Sequence, residues 1–128
     1  LQQQQGLSYL FISHDLAVIQ HLADRVAVMY LGRIVEIANR KELFQTPAHP
    51  YTQALLRAIP SGDPKTRCPL GERVLAGDVP SPTKQHTGCV FAARCPQVTS
   101  ECRQQRAEFR QIRTGQLVAC HHARMDSA

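Results

Sequence analysis

The alternation of apolar and polar positions predicts a strand followed by a helix at the start of the chain. A nearly continuous apolar run from Leu7 to Ser13 is typical of a strand buried on both faces. Apolar residues then recur at helical spacing from Leu16 to Ala23, and Asp15 is placed to cap that helix. The first elements are therefore a buried strand and a short helix.

A hairpin and two further helices follow. The runs Arg25–Tyr30 and Ile34–Ile37 flank a Gly-Arg turn, which is the spacing of a β-hairpin. Residues 40–45 predict one or two helical turns. Pro50 suits the first position of a helix that continues to Ile59, because a proline there loses no helical hydrogen bond.

Proline and glycine punctuate the next stretch, residues 60–88, with five prolines and four glycines. Such a composition predicts a linker or wrapping segment, with one short strand at Arg73–Ala76. The chain is accordingly divided into residues 1–60, the segment 61–88 and a cysteine-rich region, 89–128. The predicted fold class is α/β for the first part, followed by an irregular extension.

Composition indicates a chain that folds, since 43% of residues are hydrophobic and 20% are charged. No run approaches the roughly 18 apolar residues of a membrane span, and the start has no signal-peptide pattern. Because the sequence begins without Met, we expect the parent protein to continue upstream.

The net charge of +5 lies mostly in the second half of the chain. If that region is helical, four arginines share one side, which is either a solvated face or a phosphate-binding surface. The alternative function is therefore a metal-stabilised nucleic-acid-binding or protein-interaction module. Few stacking aromatics accompany this pattern, and nucleic acid is not the expected partner. The arginines are Arg103, Arg106, Arg110 and Arg113.

His14 follows the first predicted strand and precedes a helix, where open α/β sheets bind their ligands. Imidazole can donate a hydrogen bond to a phosphate oxygen and stabilise charge during phosphoryl transfer. A simpler interpretation is that His14 caps the helix or fills a turn. Position alone leaves both open.

Two longer segments carry a family resemblance. Residues 6–18 (GLSYLFISHDLAV) and 23–36 (ADRVAVMYLGRIVE) resemble the switch-loop region of ATP-binding cassette ATPases. The run His49-Pro50-Tyr51-Thr52 is similar to the oligopeptide and dipeptide importer branch, as are Gly77–Pro82 and the segments around the last cysteines. The resemblance implies that the chain is the C-terminal fragment of a P-loop-type nucleotide-binding domain.

The resemblance also implies that His14 contacts the γ-phosphate of ATP, with magnesium present, in the full-length protein. The chain itself contains no Gly-x-x-x-x-Gly-Lys-Ser/Thr phosphate-binding loop. An acidic pair after an apolar strand and a glycine-rich signature loop are missing from the sequence as well. We therefore expect the parent to be an ATPase and this chain to be inactive alone.

Four cysteines crowd into the last forty residues, followed by His121 and His122. Thiolates suit zinc or an iron–sulfur cluster. Zinc sites usually contain a closely spaced cysteine pair, which is absent here, whereas iron–sulfur sites tolerate irregular spacing. Free thiols and oxidised pairs also remain open, and Cys68 is expected to be unpaired. Similarity to the importer branch implies a 4Fe-4S cluster held by Cys89, Cys95, Cys102 and Cys120.

The resemblance further implies partners and a location. These are a second ATP-binding subunit, membrane permease subunits and, indirectly, a peptide-binding protein, with the ATPase on the cytoplasmic face of the cell membrane. A strand cut from its sheet leaves ladder groups uncovered, so the fragment is also expected to self-associate.

Overall fold

A computed structural model describes residues 2–59, 81, 83 and 86–124 of the chain. The described helices are α1 (Gln2–Gln5), α2 (Leu16–Leu22), α3 (Arg40–Gln45), α4 (Pro50–Arg57) and α5 (Ser100–Gln104). The described strands are β1 (Arg25–Tyr30), β2 (Arg33–Asn39), β3 (Arg110–Arg113) and β4 (Gln116–Val118). The strand predicted at Arg73–Ala76, together with Cys68, lies outside the described residues.

The four strands form one antiparallel sheet in the order β1-β2-β4-β3. The predicted hairpin is confirmed as β1 and β2, joined at Leu31 and Gly32, both of which have positive φ. The register places Glu36 opposite Val118 and Ala38 opposite Gln116. The cysteine-rich region thus adds two strands to the hairpin, where an irregular extension was expected.

The predicted cap of α2 by Asp15 and the predicted start of α4 at Pro50 are confirmed. Asp15 Oδ1 accepts hydrogen bonds from the backbone N–H of Ala17 at 2.9 Å and of Val18 at 3.3 Å. Pro50 opens α4 directly after His49, the N-cap residue. Both caps satisfy N–H groups that have no partner within the helix.

The strand predicted at Leu7–Ser13 is wrong, because these residues have no regular structure. Leu10 is 93% exposed and Ile12 is 91% exposed. A buried strand requires a neighbour that pairs with its backbone and covers its side chains. No strand in the described part of the chain pairs with this segment.

The helix predicted from the arginine spacing is also wrong. Helix α5 ends at Gln104, and Arg110–Arg113 form β3, whose backbone pairs with β4. The connecting turn contains Gly115 at φ +77°, a conformation that favours glycine. Strand pairing therefore overrides helical spacing, and the basic face on which the nucleic-acid interpretation depended is not formed.

The main core lies on the inward face of the hairpin, where buried and exposed residues alternate along β1. Leu43 of α3 and two residues of the cysteine-rich region, Val90 and Phe91, complete this cluster. A second cluster forms beneath β3 and β4 and consists of Ile112, Val118, Cys120 and Ala123.

None of the helices in the described residues is long and apolar enough to cross a bilayer.

Candidate functional site

A buried carboxylate lies at the centre of the sheet. Glu36 belongs to β2 and is 0% exposed. Its Oε2 accepts a hydrogen bond from the backbone N–H of His49 at 2.9 Å, and its Oε1 accepts one from the N–H of Ala48 at 2.9 Å. Because an unpaired buried carboxylate is costly, these bonds hold the loop before α4 against β2.

Gln116 connects the same carboxylate to the C-terminal strands. Its Nε2 donates to Glu36 Oε1 at 2.8 Å and to the carbonyl oxygen of Thr46 at 2.9 Å. The side chain comes from β4 and is fully buried. We refer to Glu36, Thr46, Ala48, His49 and Gln116 as the Glu36 joint, because together they connect β2, β4 and the loop before α4.

His49 is the buried N-cap of α4 and is 1% exposed. Its Nδ1 accepts a hydrogen bond from the backbone N–H of Tyr51 at 3.1 Å. Burial lowers the pKa of His49 from 6.5 to about 4, so the ring is neutral at physiological pH. A neutral ring is required for Nδ1 to accept this bond.

An aromatic cluster extends the joint into the cysteine-rich region. The Phe91 ring centroid lies 5.7 Å from that of His49, 5.4 Å from that of Tyr51 and 5.3 Å from that of Tyr30. The rings of Tyr30 and Tyr51 are 4.6 Å apart. The His-Pro-Tyr run therefore acts here as a packing element, a role that the sequence alone did not reveal.

The four clustered cysteines carry free thiols and lie in one neighbourhood. Burial raises the pKa of the Cys89, Cys95 and Cys120 thiols, and the neighbouring thiols raise it further. For Cys95 the contributing neighbours are the other three cysteines of the set. The fold thus collects the residues that the sequence singled out, and burial disfavours the thiolate form of Cys89, Cys95 and Cys120.

A close approach of two backbones holds this region together. The backbone N–H of Cys89 donates to the carbonyl oxygen of Cys102 at 2.7 Å. A Cβ on Gly88 would collide with the backbone of Cys102 and Arg103, so only glycine fits there.

The thiol of Cys102 has two polar neighbours. Its Sγ lies 3.4 Å from His122 Nε2 and 3.3 Å from Thr99 Oγ1. Within residues 2–59 and 86–124, however, no group of three or more His, Cys, Asp or Glu side chains is arranged to hold a metal ion. The donor chemistry of four thiols suits iron or zinc, but a metal would have to draw them closer together and displace their protons.

His14 lies apart from these groups, at an exposed bend directly before Asp15. Its side chain makes no hydrogen bond or ion pair with the described part of the chain. The structure therefore brings the cysteines together but does not bring His14 to them. Glu36 and Gln116 were missed as site residues, because single polar residues in apolar strands give no spacing signal.

The sequence of this chain is similar to a known protein family and to several transport proteins. The model of the oligopeptide/dipeptide transporter C-terminal region matches residues 35–102, which is more than half of the chain. The dipeptide transport ATP-binding protein DppF of Haemophilus influenzae is 47% identical over 123 residues, 95% of this chain and 37% of that protein. The oligopeptide transport ATP-binding protein AppF of Bacillus subtilis is 46% identical over 121 residues, 94% of this chain and 37% of that protein.

A protein of Brucella ovis, provisionally named a peptide import ATP-binding protein, is 51% identical over 120 residues. That alignment covers 94% of this chain and 37% of the relative, so the chain spans little more than a third of the curated relatives it matches. The matched residues include Glu36, His49 and the backbone contact between Cys89 and Cys102. This chain belongs to the oligopeptide/dipeptide transporter C-terminal region family.

Proposed function

We propose that this chain forms the C-terminal part of the ATP-binding subunit of an ATP-binding cassette importer for oligopeptides or dipeptides. The observation that carries the proposal is the identity of 46–47% to the transport ATP-binding proteins of Bacillus and Haemophilus, over 94–95% of the chain. ATP binding would close two such subunits on each other and hydrolysis would reopen them, which drives the membrane pore.

Within this cycle we assign His14 to the γ-phosphate of ATP. Its side chain is exposed and has no partner in the described part of the chain, so it is available to a nucleotide held by other residues. A hydrogen-bond donor placed at developing phosphate charge stabilises the transition state for hydrolysis. The phosphate-binding loop, the magnesium ligands and the base that orients water would come from elsewhere in the parent.

The test uses the full-length ATP-binding subunit assembled with its permease. Changing His14→Ala should lower kcat for ATP hydrolysis by about a hundredfold, since single donors to transition-state charge contribute about that much. The matched control is His21→Ala, which removes another exposed histidine seven residues further on, in α2. Equal ATPase activity of the two variants would show that His14 does not contribute to ATP hydrolysis.

The isolated chain should neither bind nor hydrolyse ATP, because it lacks the sequence of a phosphate-binding loop. Calorimetric titration of ATP into the purified chain should give no saturable heat. Micromolar affinity would contradict the assignment of the nucleotide site to other parts of the subunit.

We also propose that Cys89, Cys95, Cys102 and Cys120 hold a 4Fe-4S cluster, with zinc as the second possibility. Four free thiols in one neighbourhood, two of them buried, support this proposal. A bound cluster would connect the segment 89–102 to the end of β4, and so would stabilise a region with little core of its own. His122 would donate a hydrogen bond to the Cys102 sulfur.

Anaerobic purification followed by iron, sulfide and zinc analysis distinguishes the two metals. A brown protein with equal amounts of iron and sulfide supports the cluster, and stoichiometric zinc in a colourless protein overturns it. Cys102→Ser should lose the metal. Cys68→Ser is the matched control, because Cys68 is separated from the set by 20 residues in sequence, and it should retain the metal.

The proposed partners are a second ATP-binding subunit and the permease subunits, with a peptide-binding protein acting through the permease. The proposed location is the cytoplasmic face of the membrane.

Exposed residues of the cysteine-rich region, such as Arg103, are candidates for contact with the second subunit. A photocrosslinker at position 103 should capture that subunit, whereas one at exposed Arg25 serves as control. Absence of crosslinks at position 103 in an active transporter would refute the contact.

A further inference from the structure

A cavity of about 420 Å³ lies between the turn of the β1–β2 hairpin and the cysteine-rich region. It is lined by the start of β2, by Cys89 and Val90, and by Arg106, Ala107 and Phe109. This volume falls in the range of small-molecule sites, which is roughly 300–1,000 Å³. The cavity is distant in sequence from His14, and nothing in the proposed ATPase cycle uses it.

The charged groups of the cavity are both cationic. Arg33 and Arg106 line it, and none of the described residues that line it is acidic. One amino group of Arg106 donates to the carbonyl oxygen of His86 at 2.6 Å, which fixes the position of that guanidinium. Arg33 has no hydrogen-bond or ion-pair partner within the described residues. Two guanidinium groups without an acid favour a carboxylate or another oxyanion.

The remaining walls are apolar and partly open to solvent. Ile34 is 42% exposed and Phe109 is 41% exposed, and the buried Val35 and Val90 also line the cavity. Such side chains gain free energy when an apolar ligand covers them. An ammonium group, in contrast, would find no acidic partner among the described residues that line the cavity.

We propose that this cavity binds a small carboxylate that carries an apolar chain and has no free ammonium group. The carboxylate lies against Arg33 and Arg106, and the chain lies between Ile34 and Phe109. A medium-chain fatty acid and an N-blocked apolar peptide share this chemistry, whereas a free dipeptide brings an uncompensated positive charge.

Octanoate is the probe. Titrated into the ¹⁵N-labelled full chain, it should shift the amide resonances of Ile34, Val90 and Phe109 saturably. Octan-1-ol supplies the chain without the charge, and acetate supplies the charge without the chain, so both should bind at least tenfold more weakly. N-acetyl-leucyl-leucine compared with leucyl-leucine then separates a blocked peptide from a free one, and the blocked form should bind more tightly.

Arg33→Gln should weaken octanoate binding about tenfold, since a charge-assisted hydrogen bond contributes about that factor. Arg33→Lys should recover part of the loss. Arg25→Gln is the matched control, because Arg25 is exposed at the opposite end of the same hairpin, and it should bind as the original chain does. Equal binding of octanoate and octan-1-ol, or unchanged affinity in Arg33→Gln with an unchanged spectrum, would overturn the proposal.

Discussion

Two apolar runs of the N-terminal half predict strands equally well, but only one of them forms a strand. The runs are Leu7–Ser13 and Arg25–Tyr30, and the second is the one that forms a strand. The second pairs with β2 and buries Val26, Val28 and Tyr30 in the core. The first pairs with nothing in the described part of the chain, and most of its large side chains are exposed. Strand propensity is therefore expressed only where the chain also supplies a backbone partner and a surface to cover the side chains.

The same contrast separates the polar residues of the two regions. His14 in the exposed region has no partner among the described residues, whereas Glu36, His49 and Gln116 in the paired region are fully buried and hydrogen-bonded. Substitutions in the paired region should consequently alter stability strongly, and substitutions in the exposed region should not.

The largest effect is expected at Glu36. Glu36→Leu leaves the N–H groups of Ala48 and His49 without their acceptor and removes one of the two acceptors of Gln116 Nε2. Unsatisfied buried donors cost about 1–3 kcal/mol each, so the free energy of unfolding should fall by about 3 kcal/mol or more. Denaturant unfolding followed by circular dichroism measures it. Glu108→Leu, at an exposed position, should change it by less than about 0.5 kcal/mol. Similar losses at both positions would remove the distinction between the regions.

The second effect is a pH dependence that arises from His49. The unfolded chain takes up this proton below pH 6.5, but the folded chain does so only near pH 4. Stability contributed by His49 is therefore complete above pH 6.5, is lost as pH falls towards 4, and amounts to about 3 kcal/mol.

Unfolding free energies measured at pH 7, 6, 5 and 4 test the role of His49. His49→Asn keeps an N-cap acceptor for Tyr51 but removes the titration, so its pH dependence should be shallower. His21→Asn changes an exposed histidine and should reproduce the original slope. If His49→Asn also retained that slope, the pH dependence would have another origin.

The next largest loss in the free energy of unfolding is expected for Gly88→Ala. The added methyl group would overlap the backbone of Cys102 and Arg103, and the cysteine segments would have to separate. Overpacking of this kind costs about 1–3 kcal/mol. Thermal unfolding compares it with Gly32→Ala, where the added Cβ meets open space but φ is +73°, so about 1 kcal/mol is expected. A smaller loss at Gly88 than at Gly32 would contradict the close approach.

The smallest effect is expected in the exposed region. Ile12→Ser changes a side chain that is 91% exposed, and it should shift the free energy of unfolding by less than about 0.5 kcal/mol. Ile112→Ser makes the same chemical change at a position that is 6% exposed, with an expected loss of about 3 kcal/mol. Urea titration of both variants gives the comparison directly, and equal losses would mean that Ile12 is buried in solution.

Sequence patterns predicted the elements whose signals are local. The β1–β2 hairpin, the Asp15 cap and Pro50 at the start of α4 were all found, because each depends on residues within a few positions of one another. Strands β3 and β4 were missed, because the arginine spacing imitated a helix and because the pairing of β4 with β2 is a long-range contact.

The residues of the candidate site also differ in whether the sequence alone could predict them. The four cysteines stand out by residue type, and the fold collects them in one neighbourhood. The Glu36 joint gives no such signal, because Glu36 and Gln116 are ordinary polar residues until β4 lies beside β2.

The bond between Glu36 and Gln116 closes a loop of 80 residues. Loop-closure entropy grows only slowly with length, by about 0.6 kcal/mol for each doubling. Insertions or deletions between residues 60 and 85 should thus have little effect on the free energy of unfolding. The segment matters more for the rate of folding. The second edge of β2 pairs with β4, so the four-stranded sheet cannot be completed until the ribosome has synthesised residue 118.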